Sequence, residues 1–246
     1  MSIRRPLAAG LMMTSLGVPA SAQTAACTEI TAVPYTVTLP GVYCLHTDLV
    51  HTATSGSAIT IDADWVTVDF NGYTLKSTAT TASTAHGVSS VGRRWITVKN
   101  GTIHGFYAGV HIVPGAPGSS NGQIVESLRL LNYRYGVYLD GEGSVARRCE
   151  VLYTGGSTVD PNPVGIRIAG PGTAAVDNAV AFTFAGTGGT SRGIYAIGVS
   201  QFVVGNRVNN GTYGIQMSST MTKYRDNLVT GAATPYSGGT DAGNND

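Results

Sequence analysis

The sequence predicts an all-β chain, a single-stranded right-handed parallel β-helix of about seven coils, and three observations lead there. First, a short strand opening on glycine or alanine recurs: Ala58-Ile59-Thr60-Ile61, Gly87-Val88-Ser89-Ser90, Gly109-Val110-His111-Ile112, Gly136-Val137-Tyr138-Leu139, Gly165-Ile166-Arg167-Ile168, Gly193-Ile194-Tyr195-Ala196 and Gly214-Ile215-Gln216-Met217. Its spacing of 29, 22, 27, 29, 28 and 21 residues is that of a stacked repeat. Second, a β-rich run closing on asparagine lies between these strands, in "WVTVDFNG", "WITVKNG", "AAVDNAV", "QFVVGNRV" and "KYRDNLV". Third, no stretch shows apolar residues at a 3.6-residue period, so two short strands per repeat, without helices, account for each coil.

Taken in chain order, residues 1–22 read as an export signal. Arg4 and Arg5 precede the apolar run Leu7 to Val18, and Ala20-Ser21-Ala22 supplies the small-residue cleavage pattern. The run is too short to span a bilayer, so the expected location is secreted or periplasmic, with no membrane insertion once the signal is removed. Residues 23–57 are expected to form an N-terminal cap, with strands on either side of the Pro40-Gly41 turn and a Cys27–Cys44 disulfide, a bond that persists in exported chains. Residues 58–231 carry the coils. The polar, glycine-rich residues 232–246 are expected as a tail that ends the stack without a sticky edge.

The asparagines Asn71, Asn100, Asn178, Asn206 and Asn227 are expected to stack at one turn and pass amide hydrogen bonds from coil to coil. In "SVARRCEV", Cys149 falls in the same column as a small buried substitute. In "QIVESLRL" the column holds Ser127 or Leu128. Arg148 and Asp177, just before the column on adjacent coils, are expected to form a surface ion pair. Repeated glycine at the strand start points to positive φ or to close backbone approach.

Composition narrows the partners. Losing Arg4 and Arg5 takes Lys+Arg from 15 to 13 against 14 Asp+Glu, a net charge of −1. That balance gives no electrostatic reason to expect nucleic acid or an anionic membrane as partner. No cofactor is expected. Carboxylates are scattered one per coil rather than converging as calcium ligands, and the five histidines show no zinc-like spacing with cysteine. Gly189-Thr190-Ser191-Arg192-Gly193 matches G-x-S-x-G, but it leads into a strand where a nucleophile elbow must open a helix. Nothing in the sequence speaks to oligomeric state.

The segments "VTVDFNGYTL", "WITVKNGTIHGFYAGVHI" and "GNRVNNGTYGIQM" resemble coils of the pectate-lyase-like right-handed parallel β-helix superfamily, in the style of its uncharacterised secreted bacterial members. The resemblance covers roughly residues 30–240 and is carried by the residues that stack coils. It implies a polysaccharide partner held along one face, and it implies no particular reaction.

Strand alternation supplies the candidate face. With Val110, Ile112, Val137, Leu139, Ile166 and Ile168 inward, the outward column reads Thr60, Ser89, His111, Tyr138, Arg167, Tyr195, Gln216. Successive members should lie about 4.8 Å apart, near the length of a sugar unit. For β-elimination from a uronic acid, Arg167 would neutralise the carboxylate, His111 would take the adjacent C–H proton and Tyr138 would protonate the leaving oxygen. Asp140, Tyr195 and Gln216 would hold substrate. Glycoside hydrolysis fits less well, because the outward acids Asp62 and Asp140 sit three coils apart, about 14 Å, beyond the usual carboxylate separation. The expected function is thus a secreted, carbohydrate-interacting β-helix with lyase chemistry as its candidate activity. The alternative is a non-catalytic structural or adhesive β-helix at a cell surface or in a matrix. Loops 114–122 and 154–163 are the segments long enough to wall a groove for the first.

Overall fold

A computed structural model of the chain describes residues 27–116 and 118–246; the expected export signal and the first residues of the expected cap lie outside them. The described regular structure is entirely β-strand. Each strand pairs in parallel with strands one coil away, as Val110 does with Val88 and Val137. The chain is a parallel β-helix, as the repeat predicts.

Each full coil contributes three strands rather than two, giving the helix three faces. Face A holds nine strands, with Tyr35–Val37, Ser57–Ile61, His86–Val91, Ala108–Val113, Tyr135–Asp140, Val164–Ala169 and Arg192–Ile197 followed by the second halves of Arg207–Met217 and Leu228–Ser237. Face B carries strands such as Val66–Asp69, Val145–Arg147 and Ala174–Val176. Face C includes Thr74–Ser77, Glu150–Leu152 and Ala179–Ala181. The third face escapes a pattern search because each strand there has one principal inward residue, in the row Leu75, Ile103, Leu130, Val151, Val180, Val208, Val229. A single apolar residue shows no alternation, yet all seven are buried. Together with the inward Val and Ile of faces A and B they form one continuous core.

The ends are built differently from the expectation. Cys27 and Cys44 are joined as expected, with Cα atoms 5.8 Å apart. However, Tyr35–Val37, Gly41–Cys44 and Leu49–His51 already pair with the next coil on faces A, B and C, so the first turn of the helix lies inside residues 23–57. At the other end, residues 232–246 are no loose tail. Leu228–Ser237 pairs with Arg207–Met217, and Thr240–Asp241 pairs with Lys223–Arg225. The last residue then folds back. The Val229 N–H donates to the Asp246 carbonyl at 2.7 Å, and the Tyr236 hydroxyl donates to the carbonyls of Asn227 and Asp246, both at 2.9 Å. Polar composition here reflects a closing coil whose outer side meets water.

The asparagine ladder exists, with a changed membership. Asn178 donates through its backbone N–H and its Nδ2 to Oδ1 of Asn206, at 3.0 and 2.9 Å. Asn206 repeats both bonds to Asn227, and Asn227 repeats them to Asn245. Cys149 holds the next place, its backbone N–H donating to Asn178 Oδ1 at 3.0 Å. Beyond it the column holds Leu128, which is buried. Asn71 and Asn100 are exposed and stand outside this ladder, each in left-handed conformation at φ 49° and 60°. Asn100 shares its turn position with Ser127, Arg148, Asp177, Gly205 and Asp226, one residue before the ladder. Asparagine is favoured at both kinds of site, for αL tolerance at one and for amide bonding at the other, so residue type alone does not separate them. At that turn Arg148 bonds Glu126 at 2.8 Å rather than Asp177.

Cys149 mimics the asparagine donor. Its Sγ lies 3.7 Å from the Val125 carbonyl and 3.4 Å from that of Arg147, the counterparts of the carbonyls that receive Asn206 Nδ2. Burial pushes the thiol up to about 12, so it is inert at neutral pH. Cys149→Asn should therefore fold with stability within about 1 kcal/mol of the parent, the added amide bonds offsetting the extra volume. Denaturation midpoints measure this, and a loss beyond about 2 kcal/mol would contradict the donor-mimic reading.

The repeat glycines serve close approach. A Cβ on Gly165 would sit 2.4 Å from Val180 Cγ1 and 2.6 Å from the Gly193 carbonyl oxygen, and Gly136 and Gly193 meet the same obstruction one coil away on either side. None of these three needs a positive φ, whereas corner glycines such as Gly172 do. Gly165→Ala should cost about 1–2 kcal/mol through forced separation of faces A and C. Gly115→Ala, whose Cβ would meet nothing closer than 3.5 Å, is the matched control and should leave the thermal midpoint nearly unchanged.

Candidate functional site

Face A presents two outward rows. The strand register places Thr60, Ser89, His111, Tyr138, Arg167, Tyr195 and Gln216 side by side in one row, in the order expected from the repeat. The second row, three residues earlier in each strand, holds Ser57, His86, Ala108, Tyr135, Val164, Arg192 and Tyr213. From His86 onward its members immediately precede the close-approach glycine, and Ser57 precedes Ala58. Alternation from the inward Val and Ile misses them, because the glycine and the residue after it both face inward. The position before each repeat glycine is the signal that finds them.

The two rows interlock into an aromatic and cationic strip. His86 stacks on His111 with ring centroids 4.3 Å apart, and His111 meets Tyr138 at 4.7 Å. The Arg167 guanidinium lies over the Tyr138 ring at 3.9 Å, a cation–π contact. Tyr135 packs edge-on against Tyr138 at 5.0 Å and carries the Arg134 guanidinium on its own face at 4.0 Å. Further along, Arg192 covers Tyr195 at 4.9 Å and donates from Nε to Oε1 of Gln216. The structure thus brings His111, Tyr138 and Arg167 into one run of contacts, and it places Tyr195 and Gln216 in a second cluster organised by Arg192.

The electrostatics follow from this packing. Burial, then the neighbouring His86 and Arg167 charges, push the His111 imidazole down to about 4. Burial lowers His86 as well. Both rings are therefore neutral at pH 7, and a neutral imidazole can accept a proton. Burial raises Tyr135, keeping its phenol protonated. Arg167 faces Asp140 across 3.9 Å, too long for a hydrogen bond, and its Nη1 is buried without a partner. Asp140 therefore orients the guanidinium without saturating it.

Loop 154–163 borders the strip on one side. Its Asp160 forms an ion pair with Arg134, the residue that caps Tyr135, at 2.9 Å between Oδ2 and Nε. Loop 154–163 is itself braced against Thr81, whose carbonyl accepts from the Thr158 N–H at 3.1 Å. On the other side the described residues of loop 114–122 lie toward face B, where the Glu142 N–H donates to the Ser120 carbonyl at 3.1 Å. Asp62 and Asp140 share one row with Val91 and Val113 between them, and Asp62 is bound to Arg93 at 2.6 Å. No carboxylate pair at hydrolase spacing is formed by these two. The three-residue cluster of metal-ligand type among the described residues is Cys27, Cys44 and His46, whose cysteines are joined as the disulfide.

No protein-family model and no curated protein matches the chain.

Proposed function

We propose that the strip on face A binds an anionic, uronate-containing polysaccharide lying along the helix axis, with His111, Tyr138 and Arg167 as the centre of a β-elimination. The observation that carries this reading is the unbroken contact run His86–His111–Tyr138–Arg167, which ends in a guanidinium with an unfilled hydrogen-bonding capacity. In the reaction, Arg167 pairs the uronate carboxylate and so acidifies the adjacent C–H. Neutral His111 takes that proton, electrons move to form the C=C bond, and the C–O bond to the next sugar breaks. The Tyr138 hydroxyl supplies the proton to the leaving oxygen. Asp140 positions Arg167, while Tyr195 and Gln216 offer a stacking face and an amide further along the chain. The coil motifs favour a place in the pectate-lyase-like superfamily, whose members commonly hold polysaccharides on such a face. The Cys27–Cys44 bridge, and the lack of any helix long and apolar enough to cross a membrane among the described residues, fit an exported protein.

The stacking itself favours a second reading, a structural or adhesive scaffold. His86 and His111 cover each other's faces, and Arg167 covers Tyr138, so these rings stabilise the coil stack whether or not a ligand is present.

Incubation with pectins, alginates and glycosaminoglycans separates the two readings, followed by ultraviolet absorbance of unsaturated uronate and by affinity electrophoresis. Rising absorbance that is lost in Arg167→Ala and His111→Ala establishes the lyase. Retardation in the gel without new absorbance leaves a binding face only. A folded protein that shows neither response across the panel overturns the polysaccharide reading and leaves the scaffold.

A further inference from the structure

The corner between faces C and A carries a second aromatic ladder, unrelated to the strip. At this corner Tyr153, Phe182, Asn210 and Gly231 occupy equivalent positions on four successive coils, all in left-handed conformation at φ between 51° and 68°. Tyr153 and Phe182 stack at 5.0 Å with planes 10° apart, and Phe184 continues from Phe182 at 6.1 Å. Tyr153 is 58% exposed and Phe184 is 49% exposed, so apolar ring surface faces water. The ladder then stops. Asn210 and Gly231 are too short to continue it, and a groove of about 500 Å³ opens where the next rungs would stand.

The groove is bordered by Phe184 and by the polar residues Thr183, Ser191, Asn210 and Thr212, with glycine and alanine completing it and no ionisable side chain among them. Thr183 is 1% exposed and its buried Oγ1 has no hydrogen-bond partner, a polar group that a ligand hydroxyl would satisfy. Volume, an aromatic border and a few hydroxyl and amide groups match the usual make-up of a small-ligand site. The absence of charge sets it apart from the strip, where Arg167, Arg192 and Asp140 line up.

We infer that this corner groove binds an uncharged hexose unit of a polysaccharide, its C–H face completing the aromatic ladder beside Phe184 and its hydroxyls bonding Thr183, Ser191, Asn210 and Thr212. Two features of the site select this class. A pyranose has one apolar face and a rim of hydroxyls, the same division the groove shows, and a charged sugar would find no counter-ion there. Ser191 and Thr212 lead directly into Arg192 and Tyr213 of face A, so the groove opens at the side of the strip while remaining independent of it.

Calorimetric titration of the protein with uncharged glucose-, mannose- and galactose-based hexasaccharides tests this. At least one series should bind, with affinity falling about tenfold in Phe184→Ala. Asn210→Tyr should abolish binding by filling the groove with the missing rung, and the backbone accepts the change because Tyr153 and Phe182 hold the same conformation. Arg167→Ala should leave this binding unchanged, which separates it from the strip. No binding by folded protein across the panel overturns the inference. So does binding that both groove variants retain, or that Arg167→Ala removes.

Discussion

Asn206→Ala should lower the unfolding free energy by about 4 kcal/mol, an unusually large loss for one small polar side chain. Asn206 Oδ1 accepts from the backbone N–H and Nδ2 of Asn178, while its Nδ2 donates to the carbonyls of Ala175 and Val204 and to Asn227 Oδ1. The residue is 0% exposed, so no water reaches the groups that alanine would abandon. Each orphaned buried group costs about 1–3 kcal/mol, and the ladder polarises its own bonds, so the loss exceeds that of an isolated amide. Asn100→Ala provides the contrast. Asn100 is exposed and contributes αL tolerance together with bonds of 3.3 Å to the Asp69 carboxylate, so its replacement should cost about 1 kcal/mol. Urea denaturation with unchanged m-value measures both variants. Equal losses at the two sites would mean that the buried ladder is not what holds this corner together.

The same pair of residues shows how far the sequence could be read. The repeat of Gly-apolar-x-apolar was legible because close approach of coils leaves no room for a Cβ, and this constraint acts on every coil from Gly87 to Gly214. The outward row through His111, Tyr138 and Arg167 was legible for a related reason, since a shared register fixes parity once the inward valines and isoleucines are identified. Asn100 was misread because a left-handed turn and an inward amide both select asparagine, and only the fold shows which of the two a position requires. Asn245 was missed because its coil lies in a polar segment that lacks the glycine-led strand. His86, Tyr135 and Arg192 were passed over because two consecutive residues of their strands face inward, which interrupts strict alternation. The chemistry of the strip was the least legible part. A contact between rows such as His86 on His111 depends on side chains three residues apart in register on neighbouring coils, and no linear pattern records that.

Acid should weaken the fold in a window set by the paired histidines. His111 falls from 6.5 to about 4 in the folded protein, so between those values the unfolded chain binds the proton and the folded chain does not. Stability therefore rises with pH across that interval, is complete above about 6.5, and is lost as pH falls toward 4. A depression of this size corresponds to roughly 3 kcal/mol, and the ring's partial exposure reduces the expected loss to about 2. His86 acts in the same direction, because burial holds its imidazole below the ordinary value too. The carboxylates of Glu126 and Asp160, held low by bonds to arginine and asparagine, contribute in the same sense but only at the acidic end, near and below the ordinary carboxylate range. Denaturation midpoints at pH 7, 6, 5 and 4 should thus fall steeply in the parent and less steeply in His111→Gln, which keeps a polar group on the strip without a titrating ring. Identical slopes would show that His111 is freely protonated in the fold, and would remove the physical basis for its role as a neutral base at pH 7. A shallower slope in the variant would tie the strip's packing and its proton-accepting chemistry to one cause, the burial of two stacked imidazoles beside an arginine.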